Sequence, residues 1–206
     1  MPGADLKETF FRLLADYTKQ KSLVEQLWDE IESAYSGHNR HYHNLQHLDH
    51  LLKQLIEVKS KIKNWNTILF SLYYHDIAYD VLKSDNEEAS ALLSEKRMMQ
   101  VGVPAEVIEK CKSQILATKS HINNADEDTN YFTDADLSIL GHKPEAYYEY
   151  FKNIRKEYSI YPDTIYNEGR QKVLQHFLAM ERIFKTDFFY TKFEKQAKEN
   201  LQAESA

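Results

Sequence analysis

His75 and Asp76 stand side by side near the end of an otherwise apolar stretch, Ile68 to Tyr79, where ionisable groups are costly unless each finds a partner. Two residues of matching chemistry flank them: His47, in His43-Asn44-Leu45-Gln46-His47-Leu48, and Asp136, in Asp134-Ala135-Asp136-Leu137. Two imidazoles and two carboxylates offer the nitrogen and oxygen donors that suit a first-row divalent ion, and they leave coordination positions open for water. Such an ion brings the pKa of a bound water toward neutrality and offsets the charge of a phosphoryl oxygen, so both halves of a phosphate hydrolysis are served. Adjacent helical residues point about 100° apart, so His75 and Asp76 share one ion only if rotamers and helix geometry allow it, a demand that a helix end eases.

Other residues are placed to handle charge. Lys119 and His121 lie beyond a helix end and Arg40 precedes the His47 helix, so each can meet a phosphate. Asp80, Glu87 and Glu88 follow the doublet closely enough to orient an attacking water or protonate a leaving oxygen. Spacing alone does not choose among the histidines, because His43 and His47 are four apart and His47 and His50 three apart, and either pair could clamp a metal. Asp134 competes with Asp136. His142 and His176 read as structural, and Phe151, Phe177, Phe184 and Phe188 as core. Tyr42, Tyr74 and Tyr79 are pocket candidates because they flank motifs, with simple packing the alternative for Tyr74; Arg170 and Tyr166, on the helix after Pro162, read as an exposed helix face, with closure of the pocket as their alternative. Asp126 to Asp128 reads as a solvated acidic loop, since EF-hand spacing is missing.

The elements that must position these groups are helical. Leu6, Phe10, Leu13, Leu14 and Tyr17, then Leu23, Leu27 and Ile31, fall at three- and four-residue steps and predict two opening helices. Leu45 to Val58 predicts a third, with His47 near its start. Asn64 can cap the next, which is apolar over most of its circumference and leads into the doublet. Ser84 and Glu87 have capping-box spacing for a helix ending by Gly102, and Pro104 opens another toward Thr118. His121 to Thr129 reads as a loop and Phe132 to Leu140 as a short helix that carries Asp136 and stops at Gly141. Pro144 and Pro162 can each begin a helix, and an aromatic stretch from Phe184 to Phe193 precedes a charged tail from Glu194.

Composition sets the frame. At 206 residues and 42% hydrophobic, the chain suits one well-buried domain. A net charge of −6, with 26 basic and 32 acidic residues and no long run of either, gives no footprint for a long nucleic acid. The single Cys111 excludes an internal disulfide framework. The first ten residues lack a signal-peptide pattern and no run approaches a membrane span, so a cytoplasmic protein without membrane contact is expected. Five glycines and four prolines are too few for many-stranded sheets, which favours an all-α domain.

Four ordered stretches carry a family likeness: Arg40-His41-Tyr42-His43-Asn44-Leu45-Gln46-His47-Leu48, Tyr73-Tyr74-His75-Asp76-Ile77, Ala117-Thr118-Lys119-Ser120-His121 and Asp134-Ala135-Asp136-Leu137-Ser138-Ile139-Leu140-Gly141. The chain resembles the HD-domain superfamily of metal-dependent phosphohydrolases, in particular its small bacterial branch of predicted HD phosphohydrolases. The likeness spans residues 40 to 141, and the flanking helices match only in character. It implies an all-α, HD-like helical bundle, a metal held by His47, His75, Asp76 and Asp136, and hydrolysis of phosphate esters, often of nucleotides. Binuclear members insert further histidines between the doublet and the last aspartate, and here only His121 lies there. One ion per chain is therefore expected, drawn from manganese, cobalt, nickel, iron, zinc and magnesium. The expected substrate is a small phosphorylated compound, with a nucleotide among the candidates. Asp76, Glu88, His121 and Lys119 are the expected catalytic groups, and Arg40, Lys119 and His121 the substrate-binding ones. A nucleotide-binding or regulatory module with little turnover is the alternative, followed by a di-iron oxygenase of the same fold. A homodimer is left open.

Overall fold

The computed structural model describes residues 2–205. Among them are ten α-helices and no strand: α1 (Pro2–Ala15), α2 (Lys21–Tyr35), α3 (Leu45–Glu57), α4 (Trp65–Tyr74), α5 (Asn86–Gln100), α6 (Ala105–Ala117), α7 (Glu127–Asp136), α8 (Pro144–Glu157), α9 (Asp163–Ala179) and α10 (Asp187–Ser205). A 3-10 turn, Leu137–Gly141, extends α7. The protein is all-α. One contiguous apolar core runs from Leu6 to Leu201, and among the described residues no helix is long and apolar enough to cross a membrane.

The nearly all-apolar helix is the central one. Every residue of α4 from Thr67 to Tyr74 is buried, and α1, α3, α5, α6 and α7 all pack on it. A helix so enclosed has no polar face to give to solvent, which is why its few polar groups are satisfied within the fold. Ser71 Oγ, for example, donates to Gln114 Oε1 at 2.7 Å.

Helix ends set the site, and several differ from expectation. Asn44 caps α3 by accepting from the Gln46 and His47 amides. Asn64 makes no such bond. The Lys63 and Asn64 amides instead donate to the Asp128 carboxylate at 2.9 and 2.8 Å, so Asp128 is buried rather than solvated. Asp126 accepts from the Thr129 amide and starts α7 at Glu127, earlier than the predicted Phe132. The capping box of Ser84 and Glu87 does not form: Asp85 stands at the cap position, without a side-chain bond. Gly102, at a φ of 80°, closes α5 as predicted, with its amide on Met99 O and that of Val103 on Met98 O. That pair of bonds is the Schellman pattern, and glycine takes its left-handed conformation without a steric penalty.

The predicted charged tail is a helix of the core. Phe189, Phe193, Ala197 and Leu201 of α10 are buried, and full burial of a Leu or Phe side chain contributes roughly 2 kcal/mol. Glu194 is buried too, accepting from the Ile183 and Phe184 amides. Asn200 donates to Leu140 O and His142 O, both at 2.8 Å. These bonds tie α10 to the turn that follows Asp136.

Candidate metal centre

Three helix ends converge on one point. His47 sits in the first turn of α3. His75 immediately follows α4, still in helical conformation and with its amide on Ser71 O, and Asp76 follows in the turn. The Asp76 amide donates to Tyr35 Oη at 3.2 Å. Asp136 is the last residue of α7. The departure of the chain from the helix at Asp76 brings its carboxylate beside His75 rather than a turn away.

The resulting distances suit a metal. His47 Nε2 and His75 Nε2 are 3.1 Å apart, and Asp136 Oδ1 lies 3.2 and 3.7 Å from them. Asp76 Oδ2 is 3.1 Å from His75 Nε2 and 3.9 Å from His47 Nε2. Ligand atoms bound at the usual lengths to a four- or six-coordinate transition ion stand about 3 to 3.5 Å apart, and the ligand atoms of His47, His75 and Asp136, all within 4.8 Å of one another, fit one ion. Asp76 adjoins this group through His75. His75 Nδ1 lies 3.1 Å from Leu72 O, which as a donor fixes the tautomer that leaves a lone pair on Nε2. His47 Nδ1 has no such partner.

Electrostatics give the same picture. Burial works against an imidazolium at His75, yet the charge and hydrogen bond of Asp76, with Asp136 behind them, hold its pKa up at about 9. Burial likewise opposes ionisation of Asp136, and hydrogen bonds from His121 and His47 keep its carboxyl well below the usual range. Two buried carboxylates thus hold a positive charge between them. A cation would serve the same purpose.

His121 is brought to the centre and takes a position behind it. Its Nε2 is 3.1 Å from Asp136 Oδ2, and its φ of 53° is unusual for a residue with a side chain. Asp134 does not compete: its carboxylate accepts from the Lys185 and Thr186 amides and the Thr186 hydroxyl at 2.7 to 2.9 Å. Arg40, expected at the substrate, donates to His43 O, Asp76 O and Ile77 O and lies over the Tyr35 and Tyr79 rings. It braces the backbone behind the doublet. Lys119 lines the cavity described below, but its ammonium is held by Glu88 Oε1 at 2.6 Å and Ser84 O at 2.8 Å. Glu88 is exposed and outside the lining. Asp80 accepts from the Leu82 amide, while Glu87 is at the rim.

A cavity of about 610 Å³ opens over the centre, with His43, His47, Asp76, His121 and Asp136 in its wall. Tyr42 and Tyr79 line it as expected; Tyr74 does not, being buried among the core residues. Arg170 and Tyr166 also line it, which corrects the exposed-face reading in favour of its alternative, a place at the pocket. Phe177 and Phe184 are buried, and Phe151 and Phe188 half-buried. The histidines away from the centre stay structural: His142 stacks on Phe193 and His176 lies 3.3 Å from Ser120 O.

Sequence reasoning missed one arrangement. Glu157, at the end of α8, accepts from the Tyr42 and His43 amides at 2.7 and 2.9 Å, from His43 Nδ1 at 2.7 Å and from Tyr79 Oη at 2.8 Å. His43 therefore turns Nε2 toward the centre, 4.0 Å from Asp76 Oδ2. Burial disfavours its charge, but the hydrogen bond to Glu157 and the field of Asp76 raise its pKa. The contact joins segments 114 residues apart, and no local pattern announces it.

No family model, curated protein or solved structure matches the chain.

Proposed function

We propose that the protein is a metal-dependent phosphohydrolase of the HD superfamily, acting on a small phosphate monoester. The observation that supports this is the convergence of His47, His75, Asp76 and Asp136, of which His47, Asp76 and Asp136 line a ligand-sized cavity. His47, His75 and Asp136, with Asp76 beside them, would hold a divalent ion, which when bound would supply an acidified water and a counter-charge for the phosphoryl oxygens.

The surrounding residues supply the rest. His75 and His47 bring their Nε2 atoms to within 3.1 Å of each other, and His121 holds Asp136 by its second oxygen. Asp76 orients the attacking water. As the bond from water oxygen to phosphorus forms and the ester bond breaks, His43 Nε2 gives its proton to the departing alcohol oxygen. The proton lost by the water passes through Asp76 back to His43, so inorganic phosphate and a neutral alcohol leave and the site is restored. Glu157 fixes the His43 tautomer and steadies its charge. The basic rim residue Lys83 adds positive field for an incoming dianion.

The test is elemental mass spectrometry of gently purified protein beside a His75→Ala, Asp76→Ala double variant, followed by a phosphate-release screen with the metal found. About one transition metal per chain, lost in the variant, with phosphate release that depends on it, is expected. A metal-binding protein that releases no phosphate from any ester would point to the regulatory alternative. Protein that stays metal-free even after incubation with manganese or nickel would end the reading.

A further inference from the structure

The wall of the cavity opposite the metal centre has a different chemistry. It is built from α8, α9 and the turn between them, with Tyr150, Ile154, Tyr158, Tyr161 and Phe177 along it and Tyr42 joining it to the floor. Three hydroxyls of these rings and their neighbour are engaged by the protein. Tyr161 Oη donates to Val81 O at 3.1 Å, Tyr150 Oη accepts from Arg170 Nη1 at 3.3 Å, and Tyr79 Oη, at the boundary, donates to Glu157. The carboxylates nearby are engaged as well: Glu157 by His43, and Glu204 by Arg170 at 2.6 and 2.8 Å. What this wall chiefly turns to the space is ring surface and aliphatic side chain, with the polar lining residues Lys83, Ser84, Asn86 and Lys119 contributed by other segments. A polyol seated against it would recover few of the hydrogen bonds it gives up to shed water, whereas a flat ring would gain offset or edge contacts.

The wall is also held rigidly in line with the reacting end. Arg170, clamped by Glu204, lies 5.5 Å over the Tyr150 ring. Tyr150 meets Tyr42 edge-on at 4.7 Å between centroids, and Tyr42 is 5.0 Å from the His47 ring. A ring seated against Tyr150 and Tyr42 is thereby fixed relative to the metal ligands, and fixed reacting geometry is where remote binding improves rate.

We propose that this wall is a specificity subsite for an uncharged flat ring on the alcohol half of the substrate, with Tyr150 as its central contact. The inference rests on the phosphohydrolase reading for its link to turnover, but the subsite itself can be tested without it.

Three esters with unactivated alcohol leaving groups separate ring stacking from simple apolarity: 2-naphthylmethyl phosphate, cyclohexylmethyl phosphate and glycerol 3-phosphate. With metal-loaded protein, kcat/KM for the naphthyl ester is expected to exceed both others by about tenfold or more. The preference should survive in Tyr150→Phe, which keeps the ring, and fall toward unity in Tyr150→Leu. Turnover of all three esters at similar kcat/KM would overturn the subsite and leave the hydrolase standing. In parallel, equilibrium binding of the alcohols alone, 2-naphthalenemethanol against glycerol, reads the subsite directly. Binding of the ring alcohol, weakened in Tyr150→Leu and kept in Tyr150→Phe, supports the subsite even if no ester is hydrolysed. Absence of ring-alcohol binding in the folded wild-type protein overturns it.

Discussion

A carboxylate that accepts four hydrogen bonds inside a protein is held in its ionised form, and Glu157 is such a residue. Burial opposes its charge, but the His43 hydrogen bond and charge and the two amides prevail and bring its pKa down to about 2. A carboxyl lowered from an ordinary value near 4.5 stabilises the fold by about 3 kcal/mol above that pH, and the contribution is lost as pH falls toward 2. Glu157→Gln should therefore cost about that much at pH 6, and the gap to wild type should narrow steadily below pH 4.5. Urea denaturation at a series of pH values reads this, and a gap that stays constant down to pH 3 would contradict the account. His75 and Asp76 are legible in the sequence because costly residues in an apolar stretch stand out, whereas His47 and Asp136 are singled out from their neighbours His43, His50 and Asp134 by the family resemblance. Arg40 and Glu88 were misjudged for the converse reason. A charged type near a motif does not reveal its partner, and theirs are backbone carbonyls and Lys119.

At the scale of elements, the turn after α7 shows how closely two segments must approach to hold Asp136 in place. A Cβ added to Gly141 would lie 2.4 Å from Phe193 Cβ and 2.6 Å from Phe193 O, and the backbone oxygen cannot swing aside as a side chain can. Gly141→Ala should destabilise the protein by roughly 2 to 3 kcal/mol, the range for overpacking a well-filled core. Thermal melting would report it, and an unchanged midpoint would mean that α10 can slide without loss. The helical stretch does end at Gly141, as the glycine predicts, and the missing side chain serves this approach as well. The sequence reading lost α10 behind its Lys and Glu residues. Phe189, Phe193, Ala197 and Leu201 repeat every four residues, but one member is only a methyl and the flanks are charged, so the stripe is faint. The start of α7 was hidden because Asp128 is buried as an acceptor for two amides of another segment, a role that polarity alone does not suggest.

For the molecule as a whole, all-helical character followed from scarce glycine and proline and from repeated three- and four-residue spacing, and the central place of α4 from its lack of a polar face. How the ten helices stack is set by contacts between distant segments, such as α10 against the turn after α7, which no local window contains. The candidate metal centre depends on that stacking, because the residues proposed to hold the ion come from the start of α3, the end of α4 and the end of α7. An unfolded chain cannot gather them, so the ion should bind the folded state almost exclusively and stabilise it by mass action. At a free metal concentration a hundred times Kd the gain is about 2.7 kcal/mol, which for a domain of this size raises Tm by roughly 5 to 10 °C. Manganese, cobalt or nickel should give the larger shifts and magnesium a smaller one, because two ligands are imidazole nitrogens. EDTA should reverse the shift, and His47→Ala and Asp136→Asn should each abolish most of it without unfolding the protein, which circular dichroism would verify. A rise of equal size in both variants would place the metal elsewhere on the chain. No rise in wild-type protein with any of these ions would mean that the four residues hold a shared proton and no metal, and the hydrolytic reading would fall with it.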